Sequence, residues 1–103
     1  MFHKCKITVV KRMVNEDLVN EFATEPKTFP ICDRVKDGQE FFVTNPYEMP
    51  EGICPWAWAD IRSFILTIAS GGTYSEMKNT ASTVATCTDP FRPVIFKIEK
   101  VHG

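Results

Sequence analysis

Hydrophobic and polar residues alternate from Lys4 to Met13, with Cys5, Ile7 and Val9 on one side and Lys4, Lys6 and Thr8 on the other. This is the period-two pattern of a half-solvated strand. Beyond Pro55 the period changes: Ala57, Ile61, Phe64, Ile65 and Ile68 recur at spacings of four, three, one and three, which gathers them on one helical face. Pro55 suits the first helical position, where a missing N–H leaves nothing unpaired, and Cys54 thereby becomes the N-cap. Gly71-Gly72 stops the helix. Toward the carboxyl end Val94, Phe96 and Ile98 alternate with Lys97 and Glu99 in a strand over 94–101. The β-branched run from Thr83 to Thr88, which contains Cys87, predicts its hairpin-like neighbour.

Two further elements are weaker. Asn15 is placed to cap a short helix reaching about Thr24, with Glu16 and Asp17 in its first turn, Leu18, Val19 and Phe22 as its apolar face, and Pro26 ending it. The segment from Thr28 to Asp37 reads as a loop, and Asp37-Gly38 as a turn into a strand over 39–44. In that strand Phe41-Phe42-Val43 is apolar throughout, which predicts cover on both faces. The elements add up to an α+β domain spanning 1–103, with about four mainly antiparallel strands in a curved sheet or half-barrel, one long helix and one short helix.

Charge and length narrow the function. Twelve basic and 13 acidic residues are interspersed along 103 positions for a net charge of −1, so neither nucleic acid nor an anionic membrane is an expected partner. Only four uncharged residues separate Lys6 from Lys11, too few for a signal segment or a membrane span, and a cytoplasmic location is expected. In that compartment four cysteines serve as free thiols, metal ligands or redox centres more often than as disulfides. The sequence has no Cys-x-x-Cys pair, no Gly-x-Ser-x-Gly, no phosphate loop and no His-Glu-x-x-His. Zinc-ribbon, thioredoxin-like, hydrolase and nucleotide-enzyme readings are therefore weakened.

The candidate chemistry lies with cysteine. At the head of a helix, free N–H groups and the positive end of the helix dipole favour a thiolate over a thiol, which singles out Cys54. Cys32, Cys54 and Cys87 each stand where a regular element meets a turn, with Asp33, Asp60 and Asp89 one to six residues further on. Converging on one rim, three thiols with a carboxylate or water form a four-coordinate metal site or hold an iron–sulfur cluster. A redox pair, with Cys54 attacking and Cys32 or Cys87 resolving, is a second reading. Unconnected buried thiols are a third, since spacings of 22 and 33 residues match no compact ligand motif. Trp56 and Trp58 point to different sides of the helix, so at least one of them faces a second surface. That supports an alternative function, a non-enzymatic homo-oligomeric module contacting its partner through Trp56 or Trp58 and the segment from Tyr74 to Thr80. A small apolar pocket between helix and sheet is a further possibility. His3 and His102, at the two ends, are expected to be solvated.

The order Cys32-Asp33, Asp37-Gly38-Gln39-Glu40-Phe41, Pro50-Glu51-Gly52-Ile53-Cys54-Pro55-Trp56-Ala57-Trp58, Gly71-Gly72, Cys87-Thr88-Asp89-Pro90 and Pro93-Val94-Ile95-Phe96 resembles the TIGR04076 family of small prokaryotic proteins. The likeness covers almost the whole chain. It implies a single-domain cytoplasmic protein and brings no activity with it. Relatives often carry Cys-x-x-Gly near the first of these cysteines, where this chain has Cys32-Asp33-Arg34-Val35.

Overall fold

In the computed structural model, residues 1–24 and 30–101 are described. The elements follow the order β1 (Cys5–Arg12), α1 (Glu16–Phe22), β2 (Glu40–Val43), α2 (Pro55–Ala69), β3 (Ser82–Thr86) and β4 (Val94–Lys100). The four strands form one antiparallel sheet in the order β2-β1-β4-β3. This is the α+β architecture that the periodicities predict. The expected stop at Pro26, the start of the loop at Thr28 and the position of His102 lie outside the described residues.

The core forms where the inward face of the sheet meets α2. Cys5, Ile7 and Val9 of β1 and Val94, Phe96 and Ile98 of β4 are buried, as are Ala57, Ile61, Ile65 and Ile68 of α2. Each large apolar side chain removed from water there contributes about 1.5–3 kcal/mol before backbone ordering is set against it. Phe64, at the margin of the helical stripe, is half-buried and packs beside Tyr74, with ring centroids 6.1 Å apart. The helix ends as its sequence requires: Gly71 has φ +88°, and the carbonyl of Ala69 accepts the N–H of His3.

Three local expectations are corrected. Phe42 is 48% exposed, because β2 is an edge strand with only one face on the core; the Lys4 ammonium lies 4.8 Å from its ring centroid. Phe22 is 68% exposed, so of the anticipated α1 face only Val19 is fully buried. Asn15 stands at the N-cap of α1, but its side chain makes no cap bond and donates instead to the carbonyl of Pro90.

One irregularity redirects a side chain. Val9 pairs with Phe96 and Lys11 with Ile95, so Val10 is an extra residue, a β-bulge that leaves it half exposed. Uninterrupted alternation would put Arg12 on the same side as Lys6 and Thr8. After the bulge Arg12 lies opposite Val94, whose side chain is buried, and residues directly opposite in an antiparallel pair share a face. The bulge thus turns Arg12 to the inner side of the sheet.

Candidate functional site

Cys32, Cys54 and Cys87 line a single cavity of about 490 Å³. Three separate parts of the chain deliver them, and a different local device fixes each one.

Cys54 is the N-cap of α2, with extended backbone at φ −63° and ψ 124°. Its carbonyl accepts the N–H of Trp58, closing the first helical turn, while its thiol makes no capping bond. The sulfur is therefore not engaged in holding the helix end. Cys87 follows β3 and extends the ladder by one residue, its N–H donating to the carbonyl of Val94 at 3.0 Å. The N–H of Val94 returns a bond to the Cys87 sulfur at 3.3 Å, so the thiol occupies an acceptor position in the sheet pattern.

Cys32 belongs to the loop before β2 and is held by Arg12. One guanidinium nitrogen, Nη1, donates to the carbonyls of Cys32 and Val35 at 2.8 and 3.0 Å, while Nε donates to Oδ1 of Asp37 at 2.9 Å. The Asp37 hydrogen bond holds the guanidinium further into its charged range. The same bond lowers the Asp37 carboxyl below the usual carboxylate range. Arg12 was not a candidate from sequence. The break in alternation at Val9-Val10 is the signal that points to it, since a bulge re-aims whatever follows.

The floor of the cavity is apolar: Val35, Ala57, Val94 and Phe96 are all buried. Trp56, 65% exposed, stands at the rim. Trp58, the other tryptophan, is only 9% exposed and belongs to the core, so the two do face different surroundings. The wall also carries Asp33, Arg34, Asp89 and Arg92. Asp89 is already engaged, its Oδ1 accepting the N–H groups of Phe91 and Arg92 at 3.0 and 3.2 Å and its Oδ2 pairing with Arg92 Nε at 3.3 Å.

Asp60 lies off the cavity wall and acts through Thr88. Its Oδ2 accepts both the N–H and the hydroxyl of Thr88, and Thr88 Oγ1 accepts the indole N–H of Trp56 at 2.8 Å. Cys5, the fourth cysteine, does not line the cavity and is fully buried in the core, and burial pushes its thiol up to about 11.

The three sequence-predicted thiols are thus brought to one cavity, together with Trp56, Asp33 and Asp89, whereas Trp58 and Asp60 are not on its wall. Among the described residues, no group of three or more His, Cys, Asp or Glu side chains is arranged to hold a metal ion. No described helix is long and apolar enough to cross a membrane. Comparison with protein-family models, curated proteins and solved structures gave no match.

Proposed function

We propose that Cys32, Cys54 and Cys87 work as one thiol site, on which the protein carries a sulfur-seeking guest, a metal ion or an iron–sulfur cluster, or performs thiol redox chemistry. The supporting observation is that three cysteines far apart in sequence share one cavity wall, Cys87 from the edge of the core and Cys32 and Cys54 packed against it, while Cys5 is fully buried and is not on that wall. Chance burial of small apolar side chains does not require a common cavity. In the redox form, Cys54 attacks, because its sulfur is released from capping duty, and Cys32 or Cys87 resolves.

Anaerobic isolation of the untagged protein, followed by metal and sulfide analysis and by mass spectrometry of its disulfides, tests the reading. Stoichiometric metal, or a disulfide among these three cysteines after mild oxidation, supports it. Neither result, with Cys32 and Cys54 no more reactive toward an alkylating agent than Cys5, overturns it.

The exposure of Trp56 favours a second reading, a homo-oligomer joined through that side chain and the segment from Tyr74 to Thr80. Light scattering at high concentration checks it. A monomer rejects it, and an oligomer that Trp56→Ala dissociates supports it.

A further inference from the structure

β3 is an outermost strand of the sheet, and its backbone groups divide by parity. The carbonyl of Ala81 accepts the N–H of Lys100, and the N–H of Cys87 donates to the carbonyl of Val94, each at 3.0 Å. Alternate residues of an antiparallel strand turn both backbone groups to the same neighbour. Ala81, Thr83, Ala85 and Cys87 therefore serve β4, while Ser82, Val84, Thr86 and Thr88 face away from it. Two of the outward donors are used within the chain, the Ser82 N–H by the carbonyl of Asn79 and the Thr88 N–H by Asp60. Among the described residues, the N–H and C=O groups of Val84 and Thr86 have no partner.

We infer that this edge pairs with the same edge of a second copy, antiparallel about a two-fold axis at Ala85. Val84 of each chain then lies opposite Thr86 of the other, and each such pair exchanges two hydrogen bonds. Every open donor and acceptor of the edge is matched. The pairing also stops where the strand does: Ser82 and Thr88 come opposite each other across the axis, and both have already given their N–H away. A longer extended peptide would run past these residues and find the donors taken, which favours the copy as occupant. On the outer face Val84, 49% exposed, gains the β-branched Thr86 of the partner subunit as its cross-strand neighbour. At the axis, where the two chains come closest, the side chain is the methyl group of Ala85. No charged residue lies between Ala81 and Thr88, so no like charges are opposed. β2, the other outer strand, carries Glu40, and charge on an edge guards against such pairing.

An interface this short belongs to the weak, concentration-dependent end of association. The test is sedimentation equilibrium of the full chain from micromolar to about 1 mM, with amide hydrogen exchange followed by NMR at both ends of that range. A two-chain species is expected at high concentration, with the Val84 and Thr86 amides protected. On dilution those two should lose protection, while Thr83 and Ala85, bonded to β4, keep theirs. Val84→Pro removes an outward donor and no bond of the folded chain, so it is expected to fold, by circular dichroism, and to be monomeric. Trp56→Ala is expected to stay dimeric, which separates this edge from the Trp56 surface, and no result here depends on the thiol site. A chain that stays monomeric overturns the inference, including one whose two amides are protected by another of its own segments or by an unrelated extended peptide. A dimer in which these amides exchange freely, or which Trp56→Ala dissociates, overturns it equally. The exchange measurement uses the unsubstituted chain and decides the matter even where Val84→Pro fails to fold.

Discussion

The carboxylate of Asp60, on the second turn of α2, accepts the backbone N–H of Thr88 at 2.8 Å and its hydroxyl at 3.0 Å. Through this pair the helix grips the residue after Cys87, so the segment delivering one thiol is fastened to the helix whose cap delivers another. Thr88 in turn receives the indole N–H of Trp56. Asp60→Ala removes the acceptor for both bonds. The expected loss is about 1–2 kcal/mol in urea unfolding, with a shift in tryptophan emission as Thr88 and Trp56 are released. Unchanged stability and emission would show that the grip contributes nothing.

Arg12 fixes the Cys32 loop by three hydrogen bonds from one guanidinium. Lysine offers a point charge and no planar fork, so Arg12→Lys cannot satisfy Asp37 and both carbonyls together. Native-state alkylation of Cys32 is expected to quicken in this variant while that of Cys54 stays as it was. Equal acceleration at both thiols would indicate general loosening instead.

Acid sensitivity follows from two lowered carboxyls, Asp37 held down by its hydrogen bond to Arg12 and Glu99 by its hydrogen bond to Lys97. A carboxyl with a depressed folded value binds fewer protons folded than unfolded, so its stabilisation is complete above the ordinary carboxylate range and disappears as pH falls through the folded value. Stability is therefore expected to decline below about pH 4.5. Arg12→Gln should make that decline shallower. Denaturant midpoints measured from pH 7 to pH 3 for both chains decide the point.

Cys5 gives the opposite limb. Its thiol is raised to about 11 by burial, whereas an unfolded cysteine ionises near pH 8.5. Above that pH the unfolded chain releases a proton that the folded chain keeps, so stability falls as pH rises, by on the order of 3 kcal/mol by pH 11. Cys5→Ala should lose this alkaline slope while costing some packing stability at pH 7. A parent and variant with parallel alkaline profiles would contradict the assignment.

The two glycines after α2 serve different ends. At Gly71 the positive φ is the whole constraint, since an added Cβ meets only His3, at 3.7 Å, and Gly71→Ala should cost about 1–2 kcal/mol. At Gly72 an added Cβ would fall 2.7 Å from Thr67 Cγ2 and 2.9 Å from the Thr67 carbonyl oxygen. The carbonyl is backbone and cannot swing away, so Gly72→Ala is expected to be the more destabilising in thermal unfolding. The reverse order would refute this division of roles.

The sequence alone determined what depends on local period and local chemistry. Alternation at Cys5, Ile7 and Val9 set the inward face of β1, the stripe of Ala57, Ile61, Ile65 and Ile68 set the buried face of α2, and Pro55 with Gly71 marked its ends. Cys32, Cys54 and Cys87 could be named as candidates because each sits beside a turn. Tertiary structure alone decided that they line one cavity, because sequence separation says nothing about which strand edges and loops border the same space. It also decided that Phe42 is exposed, since strand order makes β2 an edge, and that Asn15 bonds to Pro90 rather than capping its own helix. Arg12 shows the limit most directly: one inserted residue at Val10 reverses the side on which every later side chain of β1 emerges, and only the pairing with β4 reveals that it is there.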